Sequence, residues 1–417
     1  MKVYEGKDIR NVGLIGHGNS GKTSLAAALL YTAGATNRLT RVDEGNTITD
    51  FDDEEIQRKV TVSTGIALLE WKKCKLNLLD TPGFNIFIND TQASLAAADS
   101  AFVLVDGVAG VEVTTEKVWQ FADHYQLPRA ITINKLDRER SSFDRALASI
   151  HENFGRGAIP VQLPLGAERE FRGVIDLIQM KAFTYSPDGD GTGTPGEIPA
   201  EMAEVAEKAH EALVEMIAEG NDALLEEFFD QGTLSPEHLL EGLRQAVCER
   251  RVFPVLCTAA TLGICSDLLL DFAVANFPPP VERQSLPLQG AEGDQRRPVS
   301  PSQPVSAFVF KTIADPFAGR VSYFKVFSGI LKNDCNLQNS RSVAAERLAH
   351  IGCLMGKALQ PVTELHPGDI GAVAKLKETL TGDTLHEKGA PVAYQPVRPP
   401  EPSIAYAIEA KTRQDED

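Results

Sequence analysis

From Asn11 to Phe277, short β-rich apolar runs alternate with stretches of helical period. The strand-like runs are NVGLI (11–15), TVSTGIALLEW (61–71), KLNLLD (75–80), SAFVLVD (100–106), RAITINK (129–135) and VFPVLC (252–257). Helical stretches fall between them, among them Thr23 to Ala33 and Thr115 to His124. This alternation predicts an α/β domain, a parallel-type sheet with helices on both faces. The gap from Lys135 to Val252 is too long for one crossover, whose loops usually run about 2–6 residues, so an inserted α+β subdomain is expected at about 160–251. Within it VQLPL and FRGVIDL read as strands. Met202, Val205, Ala209, Leu213, Met216 and Ile217 recur at helical spacing and predict one apolar face.

Residues 278–304 hold seven of the 24 prolines and mark a boundary. Beyond them VSAFVFKT, RVSYFKVFSGIL and IGAVAKL are short, alternating and divided by turn residues, the pattern of an antiparallel β-barrel. After the prolines at 391–402, SIAYAIEA (403–410) is one further alternating strand, which cannot form a domain alone. The expected organisation is the α/β domain at 1–280, a linker at 281–303, a barrel at 304–395, and the start of a truncated third domain at 396–417.

A chain of 417 residues suits two to three such units at about 150 residues each. No run of about 18 apolar residues occurs and the start, MKVYEGKDIR, lacks a signal-peptide core, so a cytoplasmic protein without a membrane segment is expected. The net charge of −17 argues against a DNA or general nucleic-acid binder, which needs clustered Lys and Arg. Much of the acidity is local, since residues 197–230 carry eleven acids against one base, Lys208. The six cysteines form no CxxC pair. The loop SPDGDGTGTPGEIP faintly resembles a calcium loop through Asp188 and Asp190, but Pro199 stands where the bidentate Glu belongs.

Three ordered motifs carry chemistry. GHGNSGKT (Gly16, His17, Gly18, Asn19, Ser20, Gly21, Lys22, Thr23) joins a strand to a helix and fits the phosphate loop G-x-x-x-x-G-K-[ST]. Its backbone N–H groups and the following helix start suit a β-phosphate; Lys22 reaches the β- and γ-phosphates and Thr23 ligates Mg²⁺. Asp80 ends the next apolar strand at the Mg²⁺ shell, and Gly83 offers an unobstructed N–H to the γ-phosphate. In NKLD, Asp137 accepts from guanine N1–H and the 2-amino group while Asn134 and the stem of Lys135 support the ring. Together they predict a GTP/GDP site.

With these motifs placed, the chain resembles elongation factor G, closest to its divergent second paralogue. The resemblance rests on RVDEGNTITDFDDEE (41–55), DTPG (80–83), DGVAGVEVTTEKVW (106–119), NKLDR (134–138), LPLG with GVIDL (163–177), FKTIADPFAGR (310–320), SGIL (328–331), and GDIGAV with LKETLTGDTL (368–385). It implies a monomer acting on ribosomal RNA and stalk proteins, with Thr61 as the switch threonine that caps Mg²⁺ and the γ-phosphate. Ala259 and Ala260 fall near the family's Ser-Ala turn at the guanine, but the Ser is absent. Asn19 replaces a phosphate-loop Asp, and Phe84 replaces the His that orients the attacking water. A phenyl ring cannot hydrogen-bond water conventionally, so slow or partner-dependent GTP hydrolysis is expected. A non-hydrolysing GTP-dependent binding module and a ribosome-protection factor are the alternatives.

Overall fold

In the computed structural model the described residues are 2–397, apart from 188, 291–292 and 316–317, together with 404, 406–407 and 409–411. Asp188 of the calcium-like loop and residues 403, 405 and 408 of the strand expected at 403–410 therefore lie outside them, and the described residues of that stretch form no strand. Seven strands form the first sheet among the described residues. They are β1 (Ile9–Gly16), β2 (Gly65–Trp71), β3 (Cys74–Asp80), β4 (Ser100–Asp106), β5 (Arg129–Asn134), β6 (Ala158–Pro160) and, after the insertion, Phe253–Cys257. All pairings are parallel except β2 with β3, which form an antiparallel hairpin at one edge.

Helices α1 (Lys22–Thr32), α2 (Asp53–Arg58), α3 (Ile88–Leu95), α4 (Val113–His124) and α5 (Phe143–Phe154) follow in chain order. β1 is buried along its whole length, as a strand covered on both faces must be. α2 starts at a capping box built by Asp52 and Glu55, which satisfies otherwise orphaned amide groups. Although Thr61–Thr64 were expected to begin a strand, pairing starts only at Gly65. The Glu55 carboxylate instead accepts the N–H groups of Val62 (2.9 Å) and Ser63 (3.0 Å) and holds that stretch as a bend.

The insertion contributes a four-stranded antiparallel sheet within Gln162–Gly196 and helices α6 (Ala203–Ala218), α7 (Asp222–Gln231) and α8 (Pro236–Cys248). α6 buries Ala206, Leu213, Val214, Ile217 and Ala218. Val205, expected on that apolar face, is 51% exposed, because the buried stripe is centred one position further along. The chain then returns through Phe253–Cys257 to α9 (Ser266–Asn276).

From Ser306 on, the described residues form an eight-stranded antiparallel sheet led by the long hairpin Ser306–Asp315 with Gly319–Ser328. From the expected linker at 281–303, Leu286 and Val299 are buried in the core with it, and Ser300 bridges Ser328. The two bodies share an apolar core in which Ile66, Leu79, Ala96 and Ala97 meet Phe308, Phe310, Tyr323 and Leu354. This joint lies on the β2–β3 side of the sheet, beside the segments that reach the phosphate loop.

Candidate nucleotide site

The C-terminal ends of β1, β3 and β5 converge on one edge, and the loops leaving them carry the three motifs. Gly21 has φ 94°, and a Cβ there would lie 2.3 Å from Asn134 Nδ2, so the loop needs glycine to close over β5. Asn134 ties the parts together, donating to Ser20 O (2.8 Å) and accepting from the Ala260 N–H (3.1 Å).

A cavity of ≈ 290 Å³ is lined at this edge by Gly18, Asn19, Gly21, Lys22, Thr23, Asp50, Thr61, Gly83, Phe84 and Lys135. A second cavity of ≈ 260 Å³ adjoins it and contains Asp137, Ala260 and Leu262. Both share Ser24, Val42, Asp43, Arg138 and Thr261, giving one elongated site with a phosphate end and a base end.

At the phosphate end Lys22 Nζ donates to the loop's own carbonyls, His17 O at 2.8 Å and Gly16 O at 3.2 Å. Burial lowers its pKa to about 8, with Asp80 and Asp50 opposing. An incoming phosphate offers that ammonium charged acceptors, which are stronger than carbonyls. Thr23 Oγ1 and Thr61 Oγ1 stand 2.9 Å apart. Asp80 is fully buried; its Oδ2 accepts from Thr49 (2.6 Å), while its Oδ1 and the Oδ1 of Asp50 have no partner. Burial holds both carboxyls above the usual carboxylate range. Buried, unsatisfied oxygens beside two hydroxyls are a hard, all-oxygen donor set, and they fit Mg²⁺.

At the base end Asp137 Oδ1 is also buried without a partner, an acceptor suited to the two N–H donors of a guanine edge. Lys135, at φ 63°, donates to Asp106 Oδ2 (2.8 Å). Burial raises the Asp106 pKa, but Lys135 and the amides of Val108 and Ala109 outweigh it and leave that carboxyl below its usual range. Ala259 is buried behind the pocket, while Ala260 contributes its N–H.

His17 and Phe84 occupy different places. The His17 ring points away from the cavity, its Nδ1 2.8 Å from Thr115 Oγ1 and its Nε2 3.7 Å from Glu112. Burial pushes its pKa down to about 4, so it is neutral at pH 7. Phe84 lines the cavity and lies flat against the phosphate loop: a Cβ on Gly18 would sit 2.8 Å from its Cζ. Asp50 and Thr49 are site residues outside the three nucleotide motifs; they lie in TDFDDEE, within the stretch 41–55 that the resemblance uses without assigning roles to them.

Residues 7–279 match the family described as the elongation factor Tu GTP binding domain, and residues 304–388 match elongation factor G domain 2. The chain belongs to the translational GTPase family. It is also similar to a crystal structure of a protein from Thermus thermophilus, with a TM-score of 0.86 at 33% sequence identity. That match covers 98% of this chain and 59% of the other, so this translational GTPase chain spans under two thirds of that protein's length. Among the described residues no helix is long and apolar enough to cross a membrane.

Proposed function

We propose that this translational GTPase binds GTP with Mg²⁺ at the elongated site, acts on the ribosome in the cytoplasm, and turns GTP over slowly unless a partner supplies a water-orienting group. Three buried carboxylate oxygens without partners, on Asp50, Asp80 and Asp137, carry this reading. Such atoms are costly in a folded protein unless a ligand satisfies them. Asp137 recognises guanine with Asn134, Lys135 and Ala260 around the ring. Lys22 and the backbone of Gly16 to Thr23 bind the β- and γ-phosphates, and the Gly83 N–H faces the γ-phosphate. Thr23, Thr61, Asp50 and Asp80 would hold Mg²⁺, which when bound neutralises phosphate charge.

What the site lacks is a group to orient water. Phe84 fills the expected position with carbon, and His17 is held by Thr115. Losing such a group typically costs about 10²–10⁴ in rate. This geometry also favours a second reading, a GTP-dependent binding module that does not hydrolyse. Kinship with the second elongation factor G paralogue, and a division at about 280 and 304 with the insertion at 160–251, belong to the same proposal. Single-turnover GTP hydrolysis with and without ribosomes tests it. Ribosome-dependent turnover supports the first reading, while tight binding with no turnover in either condition supports the second. Failure to prefer GTP over ATP would overturn both.

A further inference from the structure

Among the described residues two barrel lysines place their ammonium groups on acceptors of the other body: Lys325 on Asp99 alone, and Lys311 on three groups. Lys311, on the strand Ser306–Asp315, is buried (5% exposed), yet among the described residues its ammonium donates only to groups of the GTP-binding domain. These are Ser63 Oγ, Thr64 O at 2.8 Å and Asp90 Oδ2 at 3.2 Å. Three acceptors match the three hydrogens of an ammonium. Within the barrel its ammonium lies over the Tyr323 ring, 6.0 Å from the centroid.

Two acceptors follow Thr61 by two and three residues. The third sits on α3, just after Asp80-Thr81-Pro82-Gly83, and also accepts from the Thr64 N–H. From the opposite side Glu55 holds the N–H groups of Val62 and Ser63, so the bend after Thr61 is gripped by a carboxylate and an ammonium at once. The barrel also seats Ile66, whose carbonyl accepts from the Gly356 N–H at 2.8 Å.

We infer that Lys311 is a positioning residue that couples nucleotide state to the barrel, by holding the segment after Thr61 and the start of α3 where a triphosphate needs them. The inference builds on the GTP reading above and adds the means by which the barrel senses it. A buried ammonium is tolerated only while its hydrogen bonds are made. If the bend moves away, Lys311 loses two of three acceptors, so it favours the arrangement that places Thr61 beside Thr23. A ligand that requires Thr61 in place therefore binds better when Lys311 is present, and one that does not is indifferent.

The test uses the whole chain, with affinities for a non-hydrolysable GTP analogue and for GDP measured calorimetrically in Mg²⁺. Lys311→Met keeps length and apolar bulk but removes the donors. It should weaken the GTP analogue about tenfold and leave GDP within about twofold. Ser63→Ala, which removes one acceptor and spares the fold, should weaken the analogue about threefold, again sparing GDP. Asp90→Asn should add little once Lys311 is Met. Equal losses for both nucleotides, or no change in either, would overturn the role of Lys311 alone. Should Lys311→Met fail to fold, Ser63→Ala decides in the same way. A wild-type chain that binds neither nucleotide would overturn the GTP reading itself.

Discussion

Asp50 makes the nucleotide-free site a liability, and the size of that liability can be measured. Burial first, then the charges of Asp80 and Glu55, raise its pKa, while the Thr61 hydroxyl and Lys22 oppose this incompletely. A carboxyl that keeps its proton in the folded state but loses it on unfolding makes the folded state bind more protons. Stability of the nucleotide-free protein therefore falls as pH rises from the usual carboxylate range toward neutrality. About three pH units separate that range from pH 7, at about 1.4 kcal/mol each, so the limit is about 4 kcal/mol. Coupling to Asp80 and Lys22 leaves about 2 kcal/mol as the working figure. Asp50→Asn removes the titration while keeping shape, so at pH 7.5 it should raise the Tm of the free protein by about 4 °C, at about 2 °C per kcal/mol for a domain of this size. Melts between pH 5 and 8 should show the wild-type decline flattened. With Mg²⁺ and a GTP analogue the ranking should reverse, because the variant loses a cation-holding oxygen and gains less from ligand. A flat wild-type profile, or a variant no more stable at pH 7.5, would refute the reasoning.

Three other outcomes follow from the same geometry. Asp137→Asn should weaken GTP by roughly 30- to 100-fold, the worth of a charged hydrogen bond, and admit xanthosine triphosphate, as competition with a fluorescent nucleotide would show. Phe84→His should raise ribosome-stimulated hydrolysis at least tenfold with nucleotide affinity within about twofold; no gain in single-turnover rate would mean another group positions the water. Lys325→Met breaks a buried pair with Asp99 (2.6 Å) between barrel and GTP-binding domain and should cost about 3–5 kcal/mol in denaturant melts. Adding Asp99→Leu should recover much of that loss, since a charge left alone is the main penalty.

Sequence showed most where backbone geometry dictates residue type. The phosphate loop was readable because its tight path demands glycine at Gly21, and β1, β3, β4 and β5 because strands covered on both faces become apolar runs. It showed least where a polar residue is buried by a partner distant in the chain. Asp50 and Glu55 look like solvated acids beside Asp52, Asp53 and Glu54, yet both are buried. Thr61, Val62 and Thr64 are β-branched and favour a strand, and tertiary hydrogen bonds from Glu55 and Lys311 override that preference. The burial of Lys311 and Lys325 leaves no local trace in the sequence, because the residues that cover them belong to the other domain.

Those buried charges explain how the barrel and the phosphate site hold one geometry. Near its start β1 presents Asn11, which donates to Asp99 (2.6 Å) and accepts from Asn77 of β3 (2.8 Å). Asn77 and Lys75 both reach Asp369 of the barrel, at 3.1 and 2.7 Å, and Lys325 returns from the barrel to Asp99. A purely apolar joint tolerates small slides at little cost. Here a shift of one residue strands several buried charges, each worth several kcal/mol once unpaired. The same two strands end at Gly16 and Asp80, so the phosphate edge is fixed to the barrel through their rigid length. The segments outside that strand framework that line the phosphate end are residues 47–64, which include α2, and residues 84–90, which lead into α3. Lys311 grips both where they pass the joint, beside a body that the buried charges hold in place.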